Sequence, residues 1–172
     1  MPEFLSRYLL TASLLFASLA VAQAAPLSPG SLVEVRALGV IEPGEIWRLA
    51  APLFAPFEVP PLEHAVETYG LRYLTTDLDG STTEIFAQLF IPVYAAHEER
   101  PLYVFGSGTT GIADKCAPSR EADYTHPLGH YRAYMLAYAS RGFIGIFPNY
   151  LGFDDPEQTQ PYFNALAEGR VM

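Results

Sequence analysis

Hydrophobic and polar positions fall into two regimes along the chain. From Tyr69 onward they are regular. Leu71 to Thr76 alternates and is rich in β-forming residues, Asp77-Leu78-Asp79-Gly80 is a turn signal, and Thr83 to Val93 alternates again. A period of two on either side of a tight turn predicts a β-hairpin. Pro101-Leu102-Tyr103-Val104-Phe105 is a continuous apolar run that enters a Gly-rich loop. It predicts a short strand buried on both faces. From His130 to Arg141 the residues Tyr131, Tyr134, Met135 and Tyr138 recur at i, i+3, i+4 and i+7, and Gly142 follows as a stop. That spacing predicts an amphipathic helix. Phe143-Ile144-Gly145-Ile146-Phe147, closed by Pro148, predicts a second buried strand, and Ala165 to Arg170 predicts the start of another helix. Two strands joined through a helix predict a right-handed crossover and a parallel pair.

Before Tyr69 the pattern is weaker. Residues 25–68 are Pro-rich, and only short pieces such as Leu32-Val33-Glu34-Val35 suggest strand. An irregular N-terminal lead is expected there. At the start of the chain Arg7 precedes an uncharged apolar run from Leu9 to Ala22, followed by small residues in Ala20-Val21-Ala22 and Ala22-Gln23-Ala24. This is the layout of a signal peptide, and the run is shorter than the roughly 20 residues that span a bilayer. The expected organisation is therefore a signal peptide over 1–24, the lead over 25–68 and one domain over 69–172, with no stable membrane span once the leader is removed.

Composition narrows the function classes. At 172 residues and 50% hydrophobic the chain has room for one packed domain. Nineteen acidic against 10 basic residues leave a formal charge of −9, with no Lys/Arg cluster to follow a phosphate backbone or an anionic membrane. Nucleic acid is not an expected partner. The single cysteine, Cys116, is either a half-cystine without its partner or a buried free thiol, and both readings stay open.

Candidate chemistry sits after the third predicted strand. Gly106-Ser107-Gly108-Thr109-Thr110-Gly111 has the letters of a dinucleotide fingerprint, but that motif must open a helix. Here Cys116-Ala117-Pro118 follow too soon, and the next helical pattern begins near His130. No metal is expected either, because the histidines are scattered and Pro127 and Gly129 break the His126/His130 spacing. A nucleophile elbow needs Gly two residues either side of a serine. Ser107 has Phe105 and Thr109 there, Ser119 has Ala117 and Glu121, and Ser140 has Tyr138 and Gly142. A triad of Ser107 with His126 or His130 and Asp154 or Asp155 is disfavoured as well. His130 reads as a capping or packing residue, His64 and His97 as solvated, and Asp154-Asp155 as a loop or cap feature.

Gly108-Thr109-Thr110-Gly111, followed by Cys116-Ala117-Pro118-Ser119, resembles the loop after the third strand in secretory lipases and related exported esterases of the α/β-hydrolase fold. Asn149-Tyr150-Leu151-Gly152-Phe153 and Gln160-Pro161-Tyr162 resemble the same family's next loop and its helix approach. The likeness runs from about Tyr69 to the last residue. It implies an α/β fold class, the N-terminal portion of an α/β-hydrolase sheet, in a secreted or periplasmic protein. It also implies hydrolysis of a small-molecule or lipid ester by Ser, His and Asp or Glu, with no organic cofactor and no metal. The oxyanion hole would take the backbone N–H of Thr109, with Gly108 beside it and Thr110 and Gly111 as loop support. Cys116 would find a disulfide partner downstream. Ser107 departs from the pattern, since many relatives carry His there. In the family the elbow follows the fifth strand, so this chain is expected to stop before its nucleophile, to be inactive alone and to leave the third strand at an open edge. The rival reading is a non-catalytic exported module that keeps half a hydrolase sheet and uses its Tyr- and Phe-rich surface for contacts.

Overall fold

A computed structural model describes residues 27–94, 99–123 and 130–172. The segment read as a signal peptide, His97 and His126 lie outside the described residues. The stretch expected to be an irregular lead instead holds two regular elements, strand β1 (Leu32–Ile41) and helix α1 (Pro43–Phe54). Pro43 stands at the start of α1, where its missing N–H costs nothing and its fixed φ suits the first turn. The hairpin forms as the alternation requires. Strands β2 (Val66–Thr76) and β3 (Thr82–Pro92) pair antiparallel from Val66↔Pro92 to Thr76↔Thr82 around the Asp77–Ser81 turn.

Strand β4 (Leu102–Val104) is followed by two 3-10 turns, Asp114–Cys116 and Pro118–Asp123, and then by helix α2 (Tyr131–Ser140). Strand β5 (Ile144–Pro148) and helix α3 (Ala165–Val171) complete the described chain. The sheet order is β1-β2-β3-β5-β4, antiparallel except for the parallel β4/β5 pair that the helix between them predicts. One sequence expectation changes in this sheet. β4 stands at an edge, as the hydrolase likeness implies for the third predicted strand, but Leu102 and Val104 are exposed, so it is not the strand buried on both faces that its apolar run predicts. Burial of a strand depends on neighbours that its own residues do not encode.

Because side chains alternate across a sheet, the two faces collect different partners. Val66, Phe90 and Phe147 pack with Ile46 of α1 and with Met135, Leu136 and Ala139 of α2. Ile85, with Tyr73 beside it, packs with Leu151 and with Ala167 and Val171 of α3. Helix α2 is buried through Ala133, Met135, Leu136, Ala137, Ala139 and Ser140, whereas Tyr138, expected on its inner stripe, is exposed. Small residues let the helix sit close to the sheet and to α1, and that displaces the tyrosines to its margins. There Tyr131 meets Phe105 and Phe147, and Tyr138 meets Tyr103 with centroids 4.7 Å apart. Gly142, at φ +105, ends the helix as its place in the sequence suggests.

Candidate functional site

In sheets with parallel strands, ligands settle beyond the carboxyl ends of the strands, where the loops rise. The loops after β4 and β5 meet there and enclose a pocket of about 200 Å³. Residues 107–111 line one side of it, and Tyr150, Gln160, Tyr162, Phe163 and Glu168 line the other. The four residues read from the sequence as an oxyanion loop, Gly108, Thr109, Thr110 and Gly111, are thus all brought to one cavity.

The loop after β4 is held by contacts from several directions. Tyr150 donates its hydroxyl to the Ser107 carbonyl at 2.8 Å, and the Thr109 and Tyr162 hydroxyls lie 3.0 Å apart. Burial raises the Tyr150 pKa, which keeps the phenol protonated for that donation. Gly111 has φ +129, and a Cβ built on it would stand 2.6 Å from the Cys116 sulfur. Only glycine combines that backbone with that approach. Cys116 itself is a half-buried free thiol packed against Gly111. With the loop held in this way, none of the amide N–H groups of residues 106–111 donates to an acceptor among the described residues. These are the groups an anionic oxygen needs. Two side-chain atoms at the same pocket are also unpaired although buried, the Ser107 hydroxyl oxygen and Gln160 Oε1.

The opposite wall is anchored by a buried amide that the sequence placed in a family loop without a role. Asn149 is fully buried at the end of β5. Its Oδ1 accepts from the Ser119 N–H at 3.0 Å, and its Nδ2 donates to both carboxylate oxygens of Asp154 at 3.1 Å. Asp154 Oδ2 in turn accepts from the Phe86 N–H at 3.2 Å. One amide therefore ties the loop after β5 to the turn after Cys116 and, through Asp154, to β3. Asp154 is a loop clamp, as its sequence context suggests, and Asp155 accepts from the Glu157 N–H at 2.9 Å. Further along, Gly152 adopts φ +84, and a Cβ there would meet the Gln160 backbone at 2.6 Å. On α3, Asn164 caps the helix by accepting from the Leu166 and Ala167 N–H groups, which sets Glu168 at the pocket. Gln160 and Tyr162 were visible in the sequence through the family likeness. Glu168 and Phe163 carried no local signal.

The histidines stand elsewhere. His64, read as solvated, is half-buried and packs its ring on Tyr94 at 4.2 Å. His130, read as a capping or packing residue, is exposed at the start of α2 and makes no side-chain cap. Neither lines the pocket, so Ser107 has no histidine beside it among the described residues. Ser140, the third serine considered, is buried on α2 and bonds the backbone of His64 through its hydroxyl. The described residues contain no group of three His, Cys, Asp or Glu side chains placed to hold a metal, and no helix long and apolar enough to cross a membrane.

No family model and no curated protein matches the chain. Solved structures do. The rice cell wall degrading esterase LipA from Xanthomonas oryzae superposes with a TM-score of 0.59 at 19% identity, over 84% of this chain and 35% of that one. A Legionella pneumophila protein gives 0.57 at 21% identity, over 72% of this chain and 31% of its own. Candida antarctica lipase A gives 0.50 at 15% identity, over 74% and 27%. The fold is α/β-hydrolase-like, and the chain spans about a third of the length of these neighbours.

Proposed function

We propose that this chain is the N-terminal part of an exported carboxylic-ester hydrolase in which residues 108–111 supply half of an oxyanion hole. The observation that carries the reading is the run of amides without an acceptor among the described residues in the loop after β4, whose residues 107–111 line a pocket beyond the parallel strands of a hydrolase-like sheet. Attack on an ester carbonyl builds negative charge on its oxygen. A preorganised N–H aimed at that oxygen lowers the barrier by roughly 3 to 4 kcal/mol. Thr109 supplies this donor, Gly108 and Gly111 give it room, and Thr110 holds the turn between them. Ser107 stands beside the donor as a buried hydroxyl, not as the nucleophile, since it lacks the flanking glycines and has no histidine beside it among the described residues. In this fold the second oxyanion donor is the N–H after the nucleophile, which belongs to a G-x-S-x-G elbow that this sequence does not contain. The ester hydrolysed is then a small molecule or lipid, and Cys116 pairs with a downstream cysteine.

Two measurements test the reading. The coding frame beyond Met172 is expected to continue into a further strand and G-x-S-x-G, and a continuation without an elbow leaves the non-catalytic binding module instead. The 172-residue chain is expected not to hydrolyse p-nitrophenyl butyrate above the buffer rate. Turnover that Ser107→Ala abolishes would place the nucleophile in this chain and overturn the assignment.

A further inference from the structure

Strand β1 carries an arrangement that ester chemistry does not use. It is hydrogen-bonded to β2 on one side only, and every residue from Leu32 to Val40 is exposed. Among the described residues its outer edge is therefore a row of backbone donors and acceptors without a strand partner, the kind of edge that pairs with another strand unless blocked. The side chains on it are apolar to a degree unusual for an open edge: Leu32, Val33, Val35, Leu38 and Val40 are all more than 40% exposed.

The order of those side chains points to the occupant. Read outward from Val35, Glu34 is mirrored by Arg36, Val33 by Ala37 and Leu32 by Leu38. In an antiparallel pair that is two-fold symmetric about Val35, each position faces its mirror. Two Glu–Arg pairs, two Leu–Leu pairs and two Val–Ala pairs then flank a Val–Val contact on the axis. Directly opposed residues are the units of sheet stabilisation, and like charges there are destabilising. A surface that complements itself about an axis is what a symmetric dimer requires. We infer that β1 pairs with β1 of a second copy of this chain, extending the two five-stranded sheets into one.

Charge supports this register against a slipped one. Glu34 lies 3.8 Å from Arg72, which lies 3.8 Å from Glu84 on the far side, so a charge ladder already crosses β1, β2 and β3. Arg36 has no carboxylate in range among the described residues and is exposed. The mirrored register places it beside the second copy's Glu34 and continues the ladder across the axis. A register slipped by two residues in either direction sets Glu34 against Glu34 or Arg36 against Arg36. The bulges between Leu32 and Glu34 and between Ala37 and Gly39 bound the regular stretch and twist the strand beyond it. They leave residues 34–37 as the regular stretch, which holds both Glu–Arg pairs and the Val–Val contact, with the Leu–Leu pairs at its irregular ends. The net charge of −9 per chain opposes association at long range, but salt at 0.15 M screens charges beyond about 8 Å, whereas the cross-strand pairs are in contact.

Sedimentation velocity on the full chain at physiological salt tests the inference, with circular dichroism as the check on folding. A concentration-dependent dimer is expected. Glu34→Arg turns both Glu–Arg pairs into like-charge pairs and should weaken it at least about tenfold. The double change Glu34→Arg with Arg36→Glu restores complementarity and should bring dimerisation back. Val35→Cys in a Cys116→Ala background should cross-link through a short bismaleimide into a dimer. A chain that stays monomeric through the micromolar range overturns the inference. So does a dimer indifferent to Glu34→Arg, which would use another surface, or an oligomer that Val35→Cys does not cross-link.

Discussion

At the scale of single residues, the candidate site depends on groups that make no ester chemistry themselves. Asn149 is the clearest case. Replacing it with Ala removes the acceptor of the Ser119 N–H and the amide donor of the Asp154 carboxylate. Removing one partner costs more than the bond's net worth, because the Ser119 N–H is left without its acceptor and Asp154 keeps only the Phe86 N–H. Asn149→Ala should therefore lower the free energy of unfolding by about 2–3 kcal/mol, read from the urea midpoint at an unchanged slope. A change below about 0.5 kcal/mol would mean that the loop after β5 repacks without its clamp. The oxyanion loop was legible in the sequence because Gly and Thr in that spacing limit the backbone locally. Asn149 was seen but not understood, since its partners lie 30 residues upstream and 5 downstream. Neither distance has a local period to betray it.

At the scale of elements, legibility followed how far each element depends on its neighbours. The hairpin was readable because two alternating runs and a turn suffice to specify it. β1 was legible only from Leu32 to Val35, because a strand exposed on both faces has no apolar side to alternate, and its two bulges break the period further. α1 was hidden by Pro43 and Gly44, which its first turn tolerates, and by Pro52, which stands inside the helix near its C-terminal end. α2 was found and its buried face misjudged, as aromatic size outweighed the small residues that do the packing. The start of α2 also carries a testable charge. Glu121, from the second 3-10 turn, accepts the Arg132 N–H at 3.1 Å. That bond and the guanidinium of Arg132 favour its ionised form, but burial outweighs them and lifts its pKa from 4.5 to about 7. A carboxyl whose pKa is higher folded than unfolded binds more protons in the folded state. Stability then falls as pH rises from 4.5 towards 7 and levels off above it. With the carboxyl partly solvated, the loss is on the order of 1 kcal/mol. Glu121→Gln keeps the acceptor and removes the charge, so its unfolding midpoint should be flatter than the parent's between pH 5 and 7.5. Parallel curves for the two proteins would show that Glu121 does not titrate in this window.

At the scale of the molecule, the sheet formed by the described residues has two open edges of opposite character. β1 is long, carries both charges and is self-complementary, so contact there closes on itself. β4 is three residues long and apolar, and it faces solvent with Leu102 at 59% exposure beside Tyr138 at 45%. Nothing on β4 favours one partner or one register, and such an edge joins others without closing. The two edges therefore predict different behaviour as concentration rises: a finite dimer through β1, and scattering that keeps growing through β4. A lysine on an edge strand blocks the second process, because pairing would bury its charge. Leu102→Lys should lower the static light scattering of the concentrated chain several-fold. The position is exposed, so the unfolding free energy should move by no more than about 0.5 kcal/mol. The β1 dimer should survive the change in sedimentation velocity. If scattering persists undiminished in Leu102→Lys, the open association does not run through β4, and the apolar surface responsible lies elsewhere, with the exposed Tyr162 and Phe163 at the pocket mouth as the next place to substitute.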